Sequence, residues 1–301
     1  MKGTIVRLTS TRRRTLGLAM TLVAALMALG FASSSALATP TGEYAVFAQC
    51  PLSDASLSAC IYAKTESGEF VVGNEKVPIT NPITLQGGFT ENEETETLTF
   101  VGAANGETLT KSPQKVPGGL IGLVKCNEIS NFIERIACEL VFENGATGVN
   151  ATTELAAPAS SIGLNEANLL SEEGTALSLP VKVHLENPFL GSECYVGTNS
   201  SPVVLNLTTG TTSPPAPNKP IKGSKGTESV NSEGTILTLS KNSLVNNSFA
   251  APDSSGCGGL FSFLIGPIVN SKLGLPAAAG HNTAILNGTL KQAGARRVRE
   301  H

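Results

Sequence analysis

"ALSLPVKVHLE", residues 176–186, settles the fold class. Val181, Val183 and Leu185 alternate with Lys182, His184 and Glu186, a period of two that puts one row of side chains on a core and the other in water. The same short β-rich segments recur along the chain: "EYAVFAQ" (43–49), "CIYAKTE" (60–66), "EFVVG" (69–73), "KVPIT" (76–80), "LTFVG" (98–102), "GVNATTEL" (148–155), "PVVLNLT" (202–208), "TILTLS" (235–240) and "HNTAILNGTLKQ" (281–292). Turn-forming Gly, Asn, Ser and Pro separate them, and Ser67-Gly68 is placed to form a tight hairpin. The pattern predicts a mainly β protein, an antiparallel sandwich or barrel-like fold, with two short helices.

The helices are expected at two interruptions. In "NEISNFIERIA" (127–137) Ile129, Phe132, Ile133 and Ile136 recur at helical spacing behind Asn127 as a cap, which predicts a short helix packed on the sheet. In "GLFSFLIGPIVNSKLGLP" (259–276) Phe261, Leu264, Ile265, Ile268 and Val269 trace one stripe. Pro267 must kink or restart that helix and Gly274 ends it.

The amino-terminal 38 residues read as a cleaved secretory signal. Lys2, Arg7, Arg12, Arg13 and Arg14 precede an apolar run from Leu16 to Phe31 and the small-residue site Ala36-Leu37-Ala38. The run falls short of the ~20 residues that span a bilayer. "TRRRTL" also carries part of a twin-arginine pattern, with general secretion the expected route. Cleavage removes five of the 21 basic residues and none of the 24 acidic ones, leaving an excess of eight acidic side chains. Nucleic acid is excluded as a natural partner by that balance. The longest later apolar stretch, 258–269, is too short to span a membrane, so no membrane span follows the signal. Residues 39–293 are expected to form a single β-rich extracellular domain, or two packed β lobes, with 294–301 as a disordered tail.

Six cysteines, Cys50, Cys60, Cys126, Cys138, Cys194 and Cys257, follow the signal, an even number for an oxidising compartment. Cys50 and Cys60 bracket "PLSDASLSA" between two predicted antiparallel strands and can approach to bonding distance. A continuous helix between Cys126 and Cys138 would hold their α-carbons about 18 Å apart, so these two pair only if the helix is short and the chain folds back at both ends. Cys194 and Cys257 are left for each other by elimination among fifteen pairings. That bridge would make the proline-rich "TTGTTSPPAPNKPIKG" (208–223) a surface loop inside one unit, and place "PVVLNLT" and "TILTLS" in one sheet system.

No residues are assigned to catalysis, to a cofactor or to a metal. No CxxC knuckle, G-x-S-x-G, H-E-x-x-H, P-loop or dinucleotide fingerprint occurs. His184, His281 and His301 stand apart from any partner motif, and Asp54 and Asp253 are the only aspartates after the signal. "TENEETET" (90–97), with Glu91, Glu93, Glu94 and Glu96, lacks the Asp/Asn/Gly ladder of a calcium loop and reads as a solvated turn. The absence of Trp, with only Tyr44, Tyr62 and Tyr195, leaves little for an aromatic sugar platform.

"TGEYAVFAQCPL" (41–52), "LTTGTTSPPAPNKPIKG" (207–223) and "FSFLIGPIVNSKLGLPAAAGHNTAILNGTL" (261–290) resemble a group of uncharacterised exported actinobacterial proteins, through most of the chain after the signal. The resemblance implies a bacterial source, in which the sequon Asn206-Leu207-Thr208 is incidental. It implies no catalytic or binding residue. The expectation is a non-enzymatic binding or structural protein, secreted or associated with the cell envelope, for an extracellular ligand or surface component. A secreted hydrolase using glutamates or His184 is the alternative, to be recognised by a cleft with two carboxylates within roughly 10 Å. A carrier of an apolar ligand is the third, recognised by an internal cavity lined by Phe and Leu.

Overall fold

The computed structural model describes residues 39–92, 94, 97–120, 130–136 and 148–301. The expected signal segment, Cys126, Cys138, Glu93 and Glu96 lie outside the described residues. In chain order the strands are β1 (Ala59–Val72), β2 (Glu75–Pro78), β3 (Ile83–Asn92), β4 (Thr97–Gly102), β5 (Gln114–Lys115), β6 (Asn150–Leu155), β7 (Gly163–Leu164), β8 (Leu177–Glu186), β9 (Tyr195–Val196), β10 (Val203–Leu207), β11 (Thr227–Val230), β12 (Ile236–Asn246), β13 (Ser254–Ser255) and β14 (Thr283–Gly294). They form two antiparallel sheets. The first runs β11-β12-β14-β1-β3-β4 with β2 also on β1, and the second runs β13-β9-β8-β6-β5 with β7 and β10 also on β8. Inward residues of both sheets, such as Ile61, Leu239 and Leu286 from the first and Leu179, Val181 and Leu205 from the second, belong to one core. The protein is therefore a β-sandwich, and the alternation read in 176–186 is the alternation of β8.

A second, smaller core holds Tyr44, Phe47, Cys50, Cys60, Ala293 and Val298. It corrects two readings. "EYAVFAQ" is not a strand but a 3-10 helix, Gly42–Phe47, because Tyr44, Phe47 and Cys50 fall three apart and three residues make one 3-10 turn. The stretch 294–301 is not a disordered tail. Helix α3 (Ala295–Glu300) buries Ala295 and Val298, Arg299 donates to the Leu52 carbonyl at 2.9 Å, and the His301 carbonyl accepts from the Thr41 hydroxyl at 2.8 Å. The Cys50–Cys60 disulfide, with α-carbons 5.6 Å apart, ties the 3-10 segment to β1.

The hairpin expected at Ser67-Gly68 is absent. β1 runs straight through, bulging between Thr65 and Ser67 opposite β14. Gly68 has φ 128, and a Cβ there would stand 1.9 Å from the Ile285 carbonyl oxygen, so the glycine serves a close backbone approach and not a turn. The turn falls at Gly73-Asn74, between β1 and β2. β12 bulges as well, between Ser240 and Asn242, and both bulges face Gly288 of β14. β3 was hidden in the sequence by Gly87-Gly88, where a Cβ on Gly88 would lie 2.6 Å from the Ala59 carbonyl oxygen.

The helical readings hold in part. Helix α1 (Glu166–Ser171), capped by Asn165, was not anticipated. Helix α2 (Ser262–Leu273) contains Pro267 and ends at Gly274 with φ 68, as expected, and it buries Ile265, Val269 and Leu273. Phe261 belongs to no buried stripe: it is 62% exposed, beside Leu260 and Phe263 at 94% and 78%. Of the other predicted helix only 132–136 is helical among the described residues. Asn131 Oδ1 accepts from the Ile133 N–H there, and Phe132, Ile133 and Ile136 are exposed, not packed on a sheet.

The Cys194–Cys257 disulfide forms. Residues Ala38–His301 group as one unit, with no boundary at 208–223. The loop exposes Pro215, Pro217 and Pro220 at its tip, while the Asn218 amide donates to the carbonyls of Asn247 at 3.0 Å and Asn282 at 2.9 Å. One expectation fails here: β10 and β12 lie in opposite sheets, and they meet where the isolated bridge Thr208–Val245 links the two layers.

Candidate functional site

The sandwich is not filled between its layers. A cavity of about 60 Å³ lies between the sheets, walled on one side by Val181 and Val183 of β8, Val196 of β9 and Val203 of β10. Facing it are Phe70 and Val72 of β1, Val77 of β2, Phe249, and Leu273 of α2. With Val116, seven valines line the space, and each is a methylene shorter than the Leu or Ile that would reach across. A second cavity of about 50 Å³ shares Phe70, Thr153, Val181 and Leu205 with the first and continues toward Leu85, Leu244 and Leu286.

Little in the lining can do chemistry. Gln114 is 2% exposed, but its amide is spent on the protein. The oxygen accepts from the backbone N–H groups of Thr80 at 2.8 Å and Asn81 at 3.0 Å, and the nitrogen donates to the carbonyls of Asn81 at 2.8 Å and Ser112 at 3.1 Å. Among the described residues Glu75 is the one ionisable group on the wall; burial pushes its carboxyl above the usual range, and the Lys272 charge partly opposes that. Beside the satisfied Gln114 amide, the wall thus offers only the Thr153 hydroxyl and one half-buried carboxylate, an arrangement suited to an apolar guest.

His184 faces the other way, on the outer surface of the second sheet. Its Nδ1 lies 3.5 Å from Glu186 Oε1 and its ring stacks on Tyr195 with centroids 4.5 Å apart. Lys182 Nζ sits 4.5 Å from the centre of the Tyr195 ring. Burial first, then the Glu154 and Glu193 carboxylates, hold the Tyr195 phenol above its usual range, with Lys111 opposing. Glu154 is already engaged by Lys111 at 3.2 Å and Lys182 at 3.9 Å. His281 begins β14's approach on the surface and His301 stacks on Tyr44 at 4.3 Å, so the structure does not bring the three histidines together. Asp54 is capped by its own turn: the Ser56 hydroxyl and N–H hold its carboxyl below the usual range. Glu91 and Glu94 are exposed around the β3–β4 turn.

Among the described residues no three His, Cys, Asp or Glu side chains group as metal ligands, and no helix is long and apolar enough to cross a membrane. The sequence raised an internal cavity only as the mark of an apolar carrier, lined by Phe and Leu, and could not place it, because its signal is a shortage of volume and not a motif; the valine-rich inward positions of β8, β9 and β10 were the only trace. Comparison with known proteins finds no family model, no curated protein and no solved structure that matches the chain.

Proposed function

We propose that the chain is an exported, non-enzymatic binding protein that takes a small apolar molecule between its two sheets. The observation that carries this is the pair of adjoining cavities, walled mainly by Val, Leu and Phe side chains. Apolar cavities of ~150 Å³ in other proteins stay dry and take up benzene or xenon, and the two here together approach that scale. Two disulfides and the signal-like pattern of residues 1–38 support export, and the resemblance to exported actinobacterial proteins agrees with it. The hydrolase alternative, using glutamates or His184, has less behind it: Glu154 is held by Lys111 and Lys182, and His184 Nε2 is closed to solvent in the free chain.

A thermal-shift series with benzene, short alkanes and small ketones tests the reading. A guest at a hundred times its dissociation constant adds about 2.7 kcal/mol to stability. Val183→Leu adds one methylene to the wall of the first cavity. It should stabilise the empty protein by up to about 0.8 kcal/mol and weaken the guest effect. A loss of about 1 kcal/mol or more would mean that the space is already filled.

A further inference from the structure

Among the described residues, four buried side-chain atoms lack any hydrogen-bond partner, and two of them belong to directly paired residues. Thr152 Oγ1 on β6 and His184 Nε2 on β8 are both buried and unpaired, and Thr152 stands opposite His184 in the β6–β8 ladder. Cross-strand partners share one face of the sheet with their Cβ atoms about 5 Å apart. Thr152 is 2% exposed. An unmet buried polar atom costs about 1–3 kcal/mol, so two adjacent ones are an expensive feature unless something completes them. His184 also lines an open cleft of about 490 Å³, shared with Asn150, Glu186, Asn187, Gly191 and Ser192. This face lies opposite the inter-sheet cavity, so a ligand bound here is independent of the apolar guest.

We propose that this cleft is a second binding site, for a neutral polyhydroxylated ligand of the saccharide class, one of whose hydroxyls bridges Thr152 and His184. The chemistry of the two orphans selects the group. The Glu186 carboxylate 3.5 Å from Nδ1 draws the ring proton to that side, which leaves Nε2 as an acceptor. Thr152 can donate or accept. A single hydroxyl donates to Nε2 and accepts from Thr152, satisfying both at once. A carboxylate or phosphate has no proton for Nε2 and would meet the Glu186 charge. Around that anchor the amide of Asn150, the hydroxyl of Ser192 and the carboxylate of Glu186 offer partners for neighbouring hydroxyls, the mixture that vicinal diols require. Both orphan atoms are closed to water in the free chain and Thr152 lies behind His184 and not on the cleft wall, so binding requires the imidazole to turn toward the cleft that it lines.

Nuclear magnetic resonance of the His184 ring protons, assigned with a His184→Phe variant, tests this in the full chain with glucose and glycerol as probes. Glucose should shift the His184 resonances saturably and more tightly than glycerol. Thr152→Val, which keeps the shape and removes the hydroxyl, should weaken glucose about tenfold while leaving the fold intact. No shift with glucose, equal affinity for glycerol, an unchanged affinity in Thr152→Val, or a tightly held water alone between the two side chains would overturn the proposal.

Discussion

Removing the Cys194–Cys257 bridge should destabilise the protein more than removing Cys50–Cys60. The long bridge closes 63 residues and the short one 10. On the chain-entropy account the two loops are worth about 4 and about 3 kcal/mol. All four cysteines of the two bridges are essentially buried, so each double Cys→Ala variant also loses some packing and the difference between the two rests on loop length. For a chain of this size, about 4 kcal/mol corresponds to a fall of roughly 10 °C in Tm. The bridge also spans the proline-rich loop with its exposed Pro215 and Pro217, so a broad-specificity protease that nicks there should leave two fragments joined in a non-reducing denaturing gel. In the double variant the same nick should release them. Differential scanning calorimetry of both double variants decides the energetic part. A fall of less than about 2 °C for the long bridge, or a larger fall for the short one, would refute the reasoning from loop length.

Three further outcomes rest on particular residues. Glu166 is partly buried and its carboxyl is held above the usual range by desolvation, against the hydrogen bond it accepts from Gln292 at 2.8 Å. The folded chain therefore keeps that proton to higher pH than the unfolded chain, and stability falls as pH rises from the ordinary carboxylate range through the raised one. Glu166→Gln should raise the urea midpoint at pH 7 and leave it unchanged at pH 3; a loss at pH 7 would contradict this. Gly288→Ala should destabilise by about 3 kcal/mol in urea titration, because the new Cβ would stand 1.9 Å from the Lys64 carbonyl oxygen between the two bulged strands. Truncation after Gly294 should cost about 2 kcal/mol through exposure of the site that Val298 fills, where a disordered tail would leave Tm unchanged.

Periodicity was legible in the sequence, and long-range pairing was hidden. Alternation at Val181, Val183 and Leu185 survives into β8 because one face of that strand is core and the other is not. Gly68 and Gly88 misled because a glycine required by close strand approach looks in sequence like a glycine required by a turn. The 3-10 helix at Gly42–Phe47 was visible only as a period of three in Tyr44, Phe47 and Cys50, too short to outweigh their β propensity. Burial of Val298 depends on Cys50 and Leu52, some 250 residues earlier, and nothing local in "ARRVRE" announces it. His184 was visible as a polar-face histidine, but its register with Thr152 depends on the pairing of strands that begin 27 residues apart and was not. The cavity is harder still to read, since its cause is the collective shortness of seven valines brought together from both sheets.

Xenon is the sharpest probe of the space between the sheets. In crystals or solution under xenon, the gas should occupy the space between Phe70 of β1 and Val181 of β8, and Val183→Leu should lower its occupancy while the wild-type fold persists. Xenon absent from that space, or ordered water filling it, would contradict an apolar binding cavity between the sheets.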